Sequence, residues 1–183
     1  MIKLKELIME TKRKQYGCVM ACIDGGIKSE ILKFNKSIIE NEIIYDNKEK
    51  EFGRETDPHI TIKFGLTKNY TRKDMETFLK DVSPFTINID GVSVFENDDF
   101  DVVKMDVSGD ELKKLNKKFS KLPNEDEHPD YHPHCTLAYV THGEGDKFNG
   151  KSKKFLNIEI SRIVYSCSDG KSYYNLKYSY PKS

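Results

Sequence analysis

Two six-residue stretches constrain this chain more than anything else in it: His59-Ile60-Thr61-Ile62-Lys63-Phe64 and His134-Cys135-Thr136-Leu137-Ala138-Tyr139. Each reads His, apolar, Thr, apolar, any residue, aromatic. Successive side chains of an extended strand point to opposite faces. That period puts His59, Thr61 and Lys63 on one face and Ile60, Ile62 and Phe64 on the other, and it sets His134 and Thr136 against Cys135, Leu137 and Tyr139. With the apolar face packed inward, each strand holds an imidazole and a hydroxyl side by side, facing a cleft. One copy alone is consistent with an ordinary half-exposed strand, where Thr is a good strand former and His is tolerated. A matched pair supplies two imidazoles, as proton transfer at both ends of one bond requires.

The segments around the motifs repeat as well. Tyr16 to Ile23 is nearly all apolar and reads as a buried strand ending at an Asp24-Gly25-Gly26 turn. Ile31, Phe34, Ile38 and Ile39 fall at helical intervals, predicting a helix over Ser29 to Asn41. A charged loop, Ile43 to Asp57, then leads to Pro58 and the first motif. Thr71 heads a second helix, with Asp74 in its first turn and Met75, Phe78, Leu79 and Val82 on one face, before Pro84 stops it. Phe85 to Phe95 alternates as a strand with a bend or bulge at Gly91, and Asn97-Asp98-Asp99 turns it into a second strand, Val102 to Val107. Ser108-Gly109-Asp110-Glu111 has the form of a capping box, opening a helix whose face is Leu112, Leu115, Phe119 and Leu122. A second charged loop, Asn124 to Asp130, leads through Tyr131-His132-Pro133 into the second motif. Phe155 to Cys167 and Tyr173 to Tyr180 read as two closing strands around Asp169-Gly170. Each motif is thus preceded by strand, helix and charged loop, a pattern of internal duplication. The fold class is α+β with mainly antiparallel strands. Residues 1–15 form an amphipathic helix or arm, and 16–183 one bilobal domain.

Composition narrows the function. Thirty basic and thirty acidic residues cancel, so no global field grips long duplex nucleic acid, and a small anionic ligand held by local groups fits better. No apolar run is long enough for a signal peptide or a membrane span, from which a cytoplasmic protein is expected. Cys18 and Cys22, four apart on a strand, are separated by roughly 13 Å, too far for one disulfide or one metal. Cys135 and Cys167 sit at apolar positions as small core residues. No metal or other cofactor is therefore expected. Three groups of secondary candidates remain. Lys63 shares the motif face and would add a cation beside a phosphate. Tyr16 and Tyr131 could stack a base. His132 has the parity of His134, but Pro133 between them points to a structural or supporting role.

At these residues the chain resembles the 2H phosphoesterases, a superfamily defined by two His-x-Thr or His-x-Ser motifs on strands of two pseudo-symmetric lobes. The resemblance runs roughly from Tyr16 to Tyr180, and neither motif departs from the pattern. It implies two lobes of mainly antiparallel sheet with outer helices and a central cleft, and a catalytic set of His59, Thr61, His134 and Thr136. The chemistry agrees independently. Metal-free phosphodiester cleavage needs a base for the attacking hydroxyl, an acid for the leaving oxygen and donors for the phosphoryl charge. Two imidazoles and two hydroxyls supply them.

Phe95-Glu96-Asn97-Asp98, Asp101-Val102-Val103-Lys104, Leu115-Asn116-Lys117-Lys118 and Pro129 to His134 are similar to the bacteriophage branch of that superfamily. This branch includes anti-CBASS enzymes, which cut cyclic di- and trinucleotide immune signals. The resemblance implies a small cyclic nucleotide or short oligonucleotide as partner, with the ribose 2'-hydroxyl as internal nucleophile. Other branches act on 2'-5' linkages or 2',3'-cyclic phosphate ends of RNA. Two further classes compete. A metal hydrolase would use His128, His132, His134 and His142 with Glu125, Asp126 and Glu127, although their spacing fits no zinc motif and leaves His59 unexplained. A non-catalytic nucleotide-binding module would bind without turnover.

Overall fold

The computed structural model describes residues 16–45, 52–125 and 130–178. The arm expected over residues 1–15 lies outside them. Among the described residues eight strands form two antiparallel four-stranded sheets. In chain order the elements are β1 (Gly17–Cys22), α1 (Gly25–Ile38), β2 (His59–Leu66), α2 (Arg72–Leu79), β3 (Phe85–Glu96), β4 (Phe100–Ser108), α3 (Asp110–Phe119), β5 (His134–Thr141), β6 (Phe155–Ile160), β7 (Arg162–Cys167) and β8 (Gly170–Asn175). One sheet has the order β2-β1-β7-β8 and the other β5-β4-β3-β6. The expected duplication is real: β1-α1-β2 in the first lobe matches β4-α3-β5 in the second. Each motif strand is the edge strand of its sheet.

Local chemistry explains most element ends. Thr71 caps α2 in a reciprocal box with Asp74: its hydroxyl accepts from the Asp74 amide at 3.2 Å, and its own amide donates to the Asp74 carboxylate at 2.9 Å. The capping box expected at Ser108 does not form. Ser108 ends β4, and its hydroxyl donates to Asp90 at 2.9 Å instead, so Gly109 takes the cap position with no side-chain bond. Asp110 and Glu111 in the first turn of α3, and Lys117 and Lys118 in the last, still complement the helix dipole. Helix α1 begins at Gly25, four residues before expectation, and stops at Ile38. The carboxylate of Asp24, which could have capped it, is held by Arg162. The single strand expected over Phe155 to Cys167 is two strands broken at Ser161, because β6 pairs with β3 of one sheet and β7 with β1 of the other. The last strand ends at Asn175 rather than Tyr180.

The core lies between the sheets and their helices. Ile60, Ile62, Cys135 and Leu137 from the motif strands are fully buried with Ile31, Met75, Leu112, Leu115 and Phe119 from the helices. Each large side chain so buried contributes about 1.5–3 kcal/mol.

Both motif strands carry a β-bulge at the same place. Met20 faces Thr61 and Val19 faces Lys63, so Ile62 is the extra residue; Lys104 faces Thr136 and Val103 faces Ala138, so Leu137 is the extra one. A bulge breaks the alternation of the strand. Lys63 therefore does not share a face with His59 and Thr61: it lies opposite the core residue Val19 and is 5 % exposed. Phe64 leaves the apolar face and is 50 % exposed, with its ring against Tyr16 at 5.7 Å.

The loops before the motifs exchange lobes. Arg54 bridges to Ala138 on β5, with the Glu55 amide donating to the Leu137 carbonyl at 2.8 Å. Asn124 bridges to Leu66 on β2, with the Glu125 amide donating to the Gly65 carbonyl at 2.8 Å. Phe52 seats the first of these segments against Phe100 and Tyr139, at 5.0 and 5.2 Å between ring centres. Each motif edge is thus covered by chain from the opposite lobe, which blunts an otherwise exposed sheet edge.

Candidate active site

His59 and His134 are presented identically. Each follows a proline, Pro58 or Pro133, and each Nδ1–H donates to the carbonyl two residues earlier, His59 to Asp57 at 2.9 Å and His134 to His132 at 2.8 Å. A carbonyl only accepts, so Nδ1 carries hydrogen in both rings, and Nε2 is left to exchange protons. The turn that carries the Asp57 carbonyl is itself held, because the Glu55 carboxylate accepts the Thr56 and Asp57 amides at 2.8 and 2.7 Å. His132 contributes its carbonyl; its ring is exposed.

Cross-strand partners share a face, so register reads out the rest of the cleft. In the first lobe His59 faces Cys22 and Thr61 faces Met20. In the second, His134 faces Asp106 and Thr136 faces Lys104. The two lobes meet here: the His59 amide donates to the Cys135 thiol, and His134 feels the charge of His59. Tyr131 ties them further by donating its hydroxyl to the Thr61 carbonyl at 2.9 Å. Burial pushes its own ionisation up, so it acts as a fixed donor. Tyr16 precedes β1 at the end away from His59 and donates its hydroxyl to Glu125 at 2.5 Å.

Lys104, opposite Thr136, and not Lys63, is the lysine on the motif face. It is 4 % exposed, and its ammonium donates to Ser93 at 2.5 Å and to Asp106 at 2.7 Å, 4.1 Å from the centre of the Phe95 ring. Phe95 in turn stands edge-on to His134 at 5.2 Å. Burial lowers the His134 pKa below the ordinary imidazole value. The His132 carbonyl and Asp106 oppose that fall, while Lys104 and His59 add to it. Lys104 and Asp106 could have been found in the sequence, because they alternate with Val103, Met105 and Val107 as a charged pair on one face of an apolar strand.

Beside Thr61 the Cys18 thiol, bonded to that hydroxyl, is pushed up to about 12 by burial. It stays a neutral thiol. Among the described residues no group of His, Cys, Asp and Glu is placed to hold a metal ion. His142 is placed at the far end of β5, bonded to the Asn97 carbonyl at 2.7 Å, and Asp126, Glu127 and His128 lie outside the described residues. Among the described residues no helix is long and apolar enough to cross a membrane.

Two four-stranded antiparallel sheets of equivalent strand order, packed with three helices, give the fold of the 2H phosphoesterases. Residues 40–149 match the model of the 2'-5' RNA ligase superfamily, and the chain belongs to that superfamily. The same fold is found in Usb1 of Kluyveromyces marxianus, at 10% identity and TM-score 0.61 over 89% of this chain and 99% of that one. It is found again in E. coli LigT complexed with 3'-AMP, at 13% identity and TM-score 0.59 over 91% of this chain and 100% of that one. No curated protein matches the chain by sequence.

Proposed function

We propose that this chain is a phosphodiesterase that cleaves a small cyclic or short oligonucleotide by two-histidine acid–base catalysis. The observation that carries the reading is the paired Nδ1 bond, which leaves an Nε2 proton site on each motif strand. His134, whose proton affinity is depressed, serves as base. Its Nε2 takes the proton of a ribose 2'-hydroxyl as that oxygen attacks phosphorus. His59 delivers its Nε2 proton to the 5'-oxygen as the P–O5' bond breaks, leaving a 2',3'-cyclic phosphate and a 5'-hydroxyl. The Thr61 and Thr136 hydroxyls donate to the nonbridging oxygens, where negative charge develops. Base, acid and charge stabilisation are all supplied by side chains, so the reaction needs no metal.

Within that class we propose cyclic di- or trinucleotide immune signals as substrate, in keeping with the likeness of the connecting segments to the anti-CBASS branch. The balanced charge of the chain favours a small ligand in the same sense. The test is incubation in EDTA with 3'3'-cyclic dinucleotides, a cyclic trinucleotide, a 2'-5' linked dinucleotide and a 2',3'-cyclic mononucleotide, with His59→Ala and His134→Ala alongside. Cleavage of the cyclic oligonucleotides, lost in both variants, is expected. A preference for the 2'-5' or 2',3'-cyclic compounds moves the protein to the RNA-processing side of the superfamily. Binding without turnover that survives loss of either histidine overturns the catalytic reading.

A further inference from the structure

The concave face of the first sheet continues away from His59 as a cavity of about 420 Å³. Met20, Val164 and Tyr173 of its lining belong to a row of cross-strand neighbours on one face that starts at Thr61. Three inter-strand spacings separate the first from the last, about 14 Å. A ligand centred on the two histidines therefore reaches this cavity only with the part that extends to one side.

The walls carry three cations, Lys28, Arg162 and Lys171. Two of them are matched by carboxylates, Lys28 by Asp57 at 2.5 Å and Arg162 by Asp24. Lys171 has no carboxylate within ion-pair distance among the described residues. It lies two residues before Tyr173 on the same face of β8, and Tyr173 is 46 % exposed. The Arg162 guanidinium sits 5.2 Å from the centre of that ring. The Lys171 charge reaches Asp57, which Lys28 already holds, and an ammonium with no direct carboxylate contact, beside an open aromatic ring and a guanidinium plane, suits a phosphate and its base.

Among the described residues the second lobe offers no equivalent. Its register puts Lys104 in the place of Met20, and the Lys104 ammonium is closed off by Asp106 and Ser93. Its outer strand β6 pairs with β3 only from Phe85 to Ile89, so no fourth strand extends the row beyond Ser93. The site is symmetric at the histidines and one-sided beyond them.

We propose that this cavity is a second nucleotide subsite, in which Lys171 takes the phosphodiester next to the one between the histidines and Tyr173 with Arg162 flanks the base attached to it. The preferred substrate then carries at least two phosphate-linked nucleotides, and a 2',3'-cyclic mononucleotide leaves the cavity unfilled. The assignment of which phosphate reacts rests on the two-histidine reading above.

The test uses the full chain and ligands that lack the internal nucleophile, a 5'-phosphorylated deoxyadenosine dinucleotide and deoxyadenosine monophosphate, measured by calorimetry. The wild-type chain is expected to bind the dinucleotide more tightly. Lys171→Ala is expected to cut the ratio of dinucleotide to mononucleotide affinity about tenfold, the size of one charge-assisted contact, and Lys171→Arg is expected to restore it. Thermal unfolding of each variant checks that the fold is kept. Equal weakening of both ligands, no weakening of either, or no preference in the wild type overturns the proposal. If turnover in EDTA fails while the affinity ratio responds to Lys171, the catalytic reading falls and the subsite stands. Turnover with an unresponsive ratio removes the subsite alone.

Discussion

Asn35 on α1 and Asn116 on α3 hold each other's lobes. The Asn35 side-chain amide donates to the Leu137 carbonyl, and the Asn116 side-chain amide to the Ile62 carbonyl, both at 2.7 Å. Ile62 and Leu137 are the two bulge residues. A bulge frees backbone polar groups from the ladder, and buried ones need another partner. Each helix supplies such a partner to the motif strand of the opposite lobe, just past its threonine, at Leu137 alongside the Glu55 amide, and so holds the two histidines in a common frame. Asn35 also accepts from Arg54 at 2.6 Å.

Removing these amides is expected to loosen the fold. Asn35 is 1 % exposed, and Asn35→Ala should cost about 1–3 kcal/mol, because it removes two hydrogen bonds, one to the Leu137 carbonyl, which keeps the Glu55 amide, and one from the Arg54 guanidinium. Asn116 is less enclosed, and Asn116→Ala should cost about 1 kcal/mol. In a chain of this length each kcal/mol lowers the melting temperature by about 2–4 °C. Calorimetric melts of both variants measure the effect, and unchanged melting temperatures would refute the account of the bulges.

The two histidines are expected to fail separately and alike. His59→Ala and His134→Ala should each lower kcat by about 10²–10⁴, the span of a single general acid or base. Nucleotide affinity should change little. A variant that keeps full kcat would place the chemistry elsewhere.

Thr61→Val and Thr136→Val keep the β-branched shape and delete only the hydroxyl. Each should reduce kcat by about 10²-fold, as for one donor to developing charge, with KM nearly constant. A rise in KM at unchanged kcat would mean that the hydroxyls bind the ground state rather than the transition state.

The rate should follow a bell against pH, and two substitutions should move its acid limb in opposite directions. His134 as base must be unprotonated, so activity is lost as pH falls through its lowered pKa. Lys104 holds that pKa down and Asp106 holds it up. Lys104→Met is therefore expected to move the acid limb to higher pH, and Asp106→Asn to move it to lower pH. If the base is instead His59, both variants should leave the acid limb in place.

Much of this was written locally in the chain. The two His-x-Thr strands, the capped helix at Thr71 and the helix face of Leu112, Leu115 and Phe119 follow from periods of two and 3.6 and from cap chemistry between residues a few positions apart. The sequence also set the prolines and the histidines that make the paired Nδ1 bonds, since those span two residues. Tertiary structure decided everything that depends on which strand lies alongside. Whether Lys63 or Lys104 faces the cleft turns on the bulges at Ile62 and Leu137, and a bulge is defined only against its partner strand. The break at Ser161 exists because its two sides join different sheets. Asn35 meets Leu137 across 102 positions of chain, and the Lys171 and Tyr173 wall reaches His59 only after β7 and β8 return to complete the first sheet. Contacts between residues so far apart leave no period in the sequence, because their spacing is set by how the lobes pack and not by the geometry of any single element.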